Sequence, residues 1–335
     1  MKRTDRTLLG LCFLISGATS LLLEVAWSKE LSYVLGNTLY AVSTVVAAFM
    51  AGLGIGSVVA SRRADRFGNP VRTYALLQVA IAVCGIGLVH VLRGTDPLFA
   101  LLYRTLAAAP GAFLLARFLL VFAFLLVPTT LMGMTLPVIV GAFSRRVRNY
   151  EYLAGLLYGV NTVGAVAGTL VGGFLILPSL GLWKSCLLAG LLDLGVALVA
   201  LPMARRVGTI PDVRLNAEAR INAPRPGWTA AQWWIAALYG VSGLVALLLE
   251  VAWFRLLGLT LGPSVYAFAA MLGVYLAGIG LGSVLFASWV ARARRPGSAS
   301  GISRYSTPPR TLPRSTATRS GTPARACGWR TAGST

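Results

Sequence analysis

Residues 113–140 read FLLARFLLVFAFLLVPTTLMGMTLPVIV and contain a single charged residue, Arg117. A helix needs roughly 20 apolar residues to cross the hydrocarbon core of a bilayer, and this stretch is long enough. The whole chain has the same character, because 56% of its 335 residues are hydrophobic, only 12% are charged and the mean hydropathy is +0.74. Soluble domains carry about 25% charged residues. The composition therefore predicts an all-α, polytopic helical membrane protein.

Apolar runs of similar length recur along the chain and predict about eight transmembrane helices. The runs cover residues 8–34, 40–60, 73–92, 113–140, 153–177, 184–204, 231–256 and 265–288. Between the third and fourth runs, Leu98–Ala107 has an amphipathic pattern. We expect this short stretch to lie along the outer membrane surface.

The net charge of +20 comes from 30 Lys and Arg residues against 10 Asp and Glu residues. A basic balance can indicate nucleic acid binding, but here the basic residues concentrate in alternate loops and in the C-terminal tail. By the positive-inside rule, this alternation predicts a plasma (inner) membrane protein with both termini in the cytoplasm. The lipid bilayer is therefore the expected partner, and nucleic acid is not. The four cysteines and the single histidine show no metal-ligand spacing, so neither a metal nor a cofactor is expected.

The chain also repeats itself, since residues 16–58 align without gaps on residues 242–284. Identical pairs include Glu24/Glu250, Trp27/Trp253, Gly52/Gly278 and Gly56/Gly282. Helices one and two thus recur as helices seven and eight, in the manner of the parallel repeats of major facilitator transporters. The predicted architecture is a major facilitator-like six-helix bundle followed by a partial second repeat.

The loop after the second helix carries Asp65 and Arg66 between Gly56 and Gly68. It is similar to the cytoplasmic loop of major facilitators, in which an Asp and an Arg pair across helix ends and hold the inward gate. The alternative is an ordinary basic cytoplasmic turn. The second copy has Ala291 and Arg292 at the corresponding positions, which gives no support to a gate there.

Four stretches resemble the membrane region of the spermidine synthase-like integral membrane proteins. They are LLEVAWSK at 22–29, AFMAGLGIGS at 48–57, PTTLMGMTLP at 128–137 and LYGVNTVGA at 157–165. The resemblance covers about residues 8–290. It implies a helical region fused to a cytoplasmic aminopropyltransferase-like domain that brings decarboxylated S-adenosylmethionine and a polyamine together. No stretch of this chain has the Gly-rich strand-to-helix turn of such a domain, so catalysis by this chain alone is not expected.

The predicted organisation has four parts. They are a first six-helix bundle at 1–206, a cytoplasmic linker at 207–229, the repeat of helices one and two at 230–291, and a disordered basic tail at 292–335. The tail is rich in Arg, Ser, Thr, Pro and Gly and cannot bury enough apolar surface to fold. Because it begins where the resemblance would continue with another helix, we expect a truncation or a frameshift, and resequencing the downstream DNA tests this.

Charged residues inside a bilayer are expensive and mark candidate functional sites. Glu24 and Glu250 are equivalent in the repeat, and so are Lys29 and Arg255. If helices one and seven face each other, these residues are expected to form the cross-pairs Glu24–Arg255 and Glu250–Lys29 near a central cavity. The alternative is glutamates that reach lipid headgroups.

Asp193, near the middle of the sixth helix, is a further candidate for protonation coupling or for binding a cation such as a polyamine. Asn161 of the fifth helix is expected either to complete that site or to form a helix–helix hydrogen bond.

Glycines at four-residue spacing predict close helix packing, because a missing Cβ lets backbones approach. They are Gly164, Gly168 and Gly172 in the fifth helix, Gly52 and Gly56 in the second, and Gly278 and Gly282 in the eighth.

Three hypotheses on function follow. The first is a membrane domain of the spermidine synthase-like family that anchors, or passes substrate to, an aminopropyltransferase-type partner in polyamine metabolism. The second is a major facilitator-like transporter of a small cationic or polar solute. The third is a structural or non-functional fragment.

Overall fold

The computed structural model describes residues 3–35, 38–63, 68–106, 109–144, 150–207, 229–262 and 264–293. Helices dominate each of these segments, and the described part of the chain contains no strand. Asp65 and Arg66 of the gate-like loop lie outside the described residues, as do residues 208–228 of the predicted linker and the tail after Ala293.

Nine helices follow one another along the described segments. They are α1 (Arg3–Leu35), α2 (Thr38–Arg63), α3 (Pro70–Arg93), the short α4 (Asp96–Leu106), α5 (Pro110–Ser144), α6 (Tyr150–Val171), α7 (Leu177–Val207), α8 (Ala230–Leu261) and α9 (Val265–Ala293). A π-helical turn, Gly172–Ile176, joins α6 to α7. The described residues up to Val290 form one compact unit.

Seven helical stretches are long and apolar enough to cross a membrane. One of them, Ala154–Arg205, has 52 residues, which at about 1.5 Å per residue is more than twice a bilayer core. Gly181 interrupts it with φ 75° and ψ 169°, a backbone conformation that glycine adopts without steric cost. The prediction of about eight apolar helices is therefore confirmed. The major facilitator-like arrangement and the orientation of the termini stay predictions.

The break at Gly181 reverses the chain. The second half of α7 runs antiparallel to α3, since Trp183 contacts His90 with ring centroids 4.5 Å apart while the carbonyl of Ala204 accepts a 2.7 Å hydrogen bond from Asn69.

Helices α1 and α6 pack against each other through glycine. A Cβ at Gly164 would meet the backbone of Leu14, and one at Gly168 would meet the backbone of Ala18. A Cβ at Gly172 would come within 2.7 Å of the Leu22 side chain. The two helices run parallel and touch at successive turns of both.

The glycines of α2 and α9 occupy different environments although they are equivalent in sequence. Gly52 and Gly56 lie against α5, where a Cβ would collide with Thr129 and Thr130. Gly278 and Gly282 have no atom within 4 Å of an added Cβ in the described structure. The close packing predicted at this pair of glycines is therefore not found, because no described helix takes the place that α5 takes beside α2.

The two C-terminal helices differ in how much they bury. Most of α8 is exposed, and its buried residues are Glu250 and Phe254. Helix α9 buries its first turns, where Ala269 meets Gly173 and Phe268 stacks edge-on against Phe254 with ring centroids 5.8 Å apart. Helix α8 therefore attaches mainly near Glu250 and Phe254, whereas α9 also lies along α6, where added Cβ atoms at Gly273 and Gly280 would meet Leu170 and Thr162.

Replacing Gly168 by alanine is expected to lower the free energy of unfolding by about 1–3 kcal/mol, because the new methyl group collides with the backbone of Ala18. Denaturation of the detergent-purified protein measures the loss. Gly155→Ala is the matched control, since Gly155 lies on the same helix with nothing within 4 Å of an added Cβ. Equal losses in the two variants would contradict the packing role.

Candidate functional site

Four acidic side chains are buried in the helical unit. Glu24 and Glu250 are each 1% exposed, Asp193 is 0% exposed and Glu30 is 6% exposed. An unpaired charge in apolar surroundings is costly, so the partners of each carboxyl decide what it can do.

Glu30 has a conventional partner. Arg93 at the end of α3 donates a 2.9 Å hydrogen bond from Nε to Glu30 Oε1, and the two side chains form an ion pair. The Arg93 side chain is 58% exposed and remains accessible to solvent or headgroups. The pair joins α1 to α3, and the guanidinium of Arg93 neutralises the charge of Glu30.

Asp193 is held by a hydroxyl group. Thr19 on α1 donates a 2.6 Å hydrogen bond to Asp193 Oδ1 on α7. The second oxygen, Oδ2, is buried without a hydrogen-bond partner. Asp193 therefore joins two helices with one oxygen and keeps the other free.

A further polar pair on α3 is buried with α1. Gln78 donates a 3.1 Å hydrogen bond to the hydroxyl of Tyr74, and that hydroxyl donates to the carbonyl of Cys12 at 3.2 Å. The side-chain oxygen of Gln78 has no partner. Together with Thr19 and Asp193, these groups place polar side chains among α1, α3 and α7.

Glu24 and Glu250 form the second group of acids. Their carboxyls lie within electrostatic range of each other, although one is on α1 and the other on α8. Glu24 Oε1 and both carboxyl oxygens of Glu250 are buried and accept no hydrogen bond from the protein. Two carboxyl groups thus share one apolar region with no neutralising side chain.

Two aromatic residues accompany these acids. Trp27, one helical turn after Glu24, is fully buried and its indole N–H has no hydrogen-bond acceptor. Tyr275 of α9 is close enough to Glu250 for their charges to interact. Aromatic faces and carboxylates are the groups that bind organic cations.

The expected cross-pairs Glu24–Arg255 and Glu250–Lys29 are not formed. Lys29 follows Glu24 by five residues, or about 500° of helix, so the two side chains leave α1 in different directions. When Glu24 faces α8, Lys29 faces away, and Arg255 is exposed on α8. The repeat therefore brings acid to acid instead of acid to base.

Asn161 does not complete a site with Asp193. Its amide oxygen and backbone lie against Gly17 of α1, where an added Cβ would come within 2.8 Å of Oδ1. Within the described residues, the hydrogen bond to Asp193 comes from Thr19.

Sequence reasoning missed Thr19 and the Glu30–Arg93 pair. Both charges of that pair fall near the ends of apolar runs, and this was the available signal. No group of three or more His, Cys, Asp and Glu side chains suited to a metal ion occurs among the residues that the structure describes.

Thr19→Val is expected to lower the free energy of unfolding by about 1–3 kcal/mol, because Asp193 loses its hydrogen-bond donor while staying buried. Thermal or denaturant unfolding measures the change. Thr105→Val serves as the control, since the Thr105 hydroxyl is exposed and bonds to its own helix, to the carbonyls of Leu101 and Leu102. An unchanged stability of Thr19→Val would show that the Thr19–Asp193 bond does not join α1 to α7.

Comparison with known proteins finds distant relatives. The chain is 26% identical over 212 residues to polyamine aminopropyltransferase 1 of Streptomyces coelicolor, which is 62% of this chain and 36% of the relative. It is 25% identical over 190 residues to polyamine aminopropyltransferases 2 and 1 of Ralstonia nicotianae, covering 57% of this chain and 34% and 33% of those proteins.

The chain thus spans about a third of the length of the curated relatives that it matches. No family model and no solved structure matches it. Because only 42 residues follow α9, most of the aligned residues fall in or between the helices. The chain is therefore distantly similar to polyamine aminopropyltransferases, mostly within its helical part.

Proposed function

We propose that this chain is the membrane region of a spermidine synthase-like protein, with both termini in the cytoplasm, and that it anchors or supplies substrate to an aminopropyltransferase-type partner. The observation that carries the proposal is the buried pair Glu24 and Glu250, which accepts hydrogen bonds from no described side chain. The distant similarity to polyamine aminopropyltransferases supports the choice of a polyamine as the cation.

The chemistry of the pair suits an amine. A buried carboxylate costs several kcal/mol unless a cation or a proton neutralises it. Two such groups with no basic neighbour can accept hydrogen bonds from one ammonium group, which offers three donors. Tyr275 and Trp27 beside the carboxyls would lie against the methylene chain of a polyamine. The acids of the two sequence copies would then act together on one ligand.

The alternative is a major facilitator-like transporter of a small cationic solute that uses the same carboxyls together with Asp193. One observation favours it, since Glu24 and Glu250 come from the two copies of the repeat and lie close enough for their charges to interact. The hydrogen bond from Thr19 to Asp193 gives that residue a role in joining helices and weakens its claim as part of a transport path. In this alternative, Asp65 and Arg66 would form the inward gate.

Binding of labelled spermidine to the chain in nanodiscs tests the proposal. Glu24→Gln and Glu250→Gln are each expected to weaken binding about tenfold, because each removes a charge-assisted hydrogen bond worth about 1.5–3 kcal/mol. Glu30→Gln is the matched control, since Glu30 is also buried on α1 but is satisfied by Arg93. We expect this control to bind as the unchanged protein does. Equal effects of all three changes, or no spermidine binding at all, would overturn the proposal.

Uptake of labelled polyamine into proteoliposomes separates the two functions. A region that only anchors or hands on substrate is expected to bind spermidine without accumulating it. Uptake above that of empty liposomes, abolished by the double change Glu24→Gln and Glu250→Gln, would establish the transporter instead.

A further inference from the structure

A second site lies on another face of α1, toward the end of that helix. A pocket of about 230 Å³ opens between α1, α2 and the first turn of α9. Polar side chains dominate its α1 wall, which consists of Ser28, Lys29, Ser32 and Tyr33. This pocket is distinct from the acidic pair, and none of the residues that line it is acidic.

The α1 residues that line the pocket lie on the same face of α1 that packs against α6 nearer the N-terminus of the helix. Leu14, Ala18 and Leu22 contact the α6 glycines, and Val25 lies 3.8 Å from an added Cβ at Gly173. Lys29 follows Val25 by four residues and so stands on the same face, one turn further on. Near Lys29, α1 faces the first turn of α9 and no longer faces α6. The pocket opens at this change from one neighbouring helix to the other.

Lys29 brings a positive charge to this pocket. Its side chain is half-buried and forms no ion pair within the described residues. The adjacent acid, Glu30, is turned toward α3 and is satisfied by Arg93. The ammonium group therefore lacks a counter-charge from the described part of the chain.

The start of α9 adds hydrogen-bond donors. Ser264 accepts a 3.3 Å bond from the backbone N–H of Ala267, and its own hydroxyl proton has no acceptor among the described residues. The first N–H groups of a helix have no partner within the helix, and Val265, whose N–H is one of them, lines the pocket. The helix dipole favours negative charge at the same place.

The size of the pocket limits what can enter. Pockets for drug-sized ligands have volumes of about 300–1,000 Å³, and this one is smaller. The apolar floor consists of Val42 and Phe268, which occupy equivalent positions in the sequence repeat. A compact anionic group is of a size to enter this pocket, which Lys29, Ser264 and Val265 line.

We propose that this pocket binds a phosphate group, with Lys29 as its counter-charge and Ser264 as a hydrogen-bond donor. The group is carried either by an anionic lipid or by a small free phosphate. The location favours the lipid, since Ser32 stands three residues before the end of α1, a helix long and apolar enough to cross a membrane, and the ends of such helices lie near the headgroups.

The experiment compares purified protein in nanodiscs of phosphatidylcholine with and without phosphatidylglycerol, and measures retained phosphatidylglycerol by native mass spectrometry. Lys29→Gln is expected to lower the phosphatidylglycerol affinity about tenfold, the loss expected for one charge-assisted hydrogen bond. Lys29→Arg is expected to keep it. Arg255→Gln is the matched control, because Arg255 is the repeat equivalent of Lys29 but is exposed and does not line the pocket.

Titration of inorganic phosphate into the phosphatidylcholine nanodiscs distinguishes the two sources. A rise in melting temperature that Lys29→Gln abolishes identifies a free-phosphate site, and retention of phosphatidylglycerol alone identifies a lipid site. If Lys29→Gln does not fold, Ser264→Ala carries the test, with an expected several-fold loss. Equal binding by Lys29→Gln and Arg255→Gln, or unchanged binding by Ser264→Ala in that second case, would overturn the proposal.

Discussion

The close approach of α1 and α6 is the constraint on which the rest of the helical unit depends. Glycines of α6 bring its backbone against the backbone of α1 at Leu14 and Ala18, and this contact determines which way every other side chain of α1 points. With that face occupied, Thr19 is directed to α7, Glu24 to α8 and Glu30 to α3. A helix that rotated about its axis would lose all three relationships at once. The glycine contact therefore positions the polar groups although it contains none of them.

Buried charge is treated in three ways within this one unit. Glu30 is neutralised by Arg93, and Asp193 is partly satisfied by the hydroxyl of Thr19. Glu24 and Glu250 receive neither form of compensation. The cost of an unsatisfied buried carboxyl is several kcal/mol, and folding gains nothing from placing two of them together. Such an arrangement is understandable when a ligand completes it, and this is why the pair carries the functional proposal.

Sequence equivalence does not bring equal environments. Trp27 is fully buried whereas its counterpart Trp253 is 54% exposed. Lys29 lines a pocket while Arg255 is exposed, and the paired glycines of α2 contact α5 while those of α9 contact nothing described. The first copy packs with the four apolar helices α3, α5, α6 and α7, whereas most of α8 in the second copy is exposed. Glu24 and Glu250, by contrast, are both buried, each with 1% of its surface exposed.

The sequence by itself determined the all-helical class and the approximate number of apolar spans, with separate spans at 153–177 and 184–204 on either side of Gly181. These properties follow from the length of apolar runs and from residue types that end helices, and both are local. It also identified Glu24, Asp193 and Glu250, since any acid in such a run is conspicuous.

The tertiary structure alone decided the partners. The rotation of α1 relative to α7 decides which side chain donates a hydrogen bond to Asp193. Spacing along one helix does not show that the donor is Thr19 and not Asn161. The same rotation brings Glu24 to Glu250 and turns Lys29 toward the start of α9. Helix rotation is set by packing between distant segments, and that is the physical reason why the pairs expected from the sequence are not the ones that the structure forms.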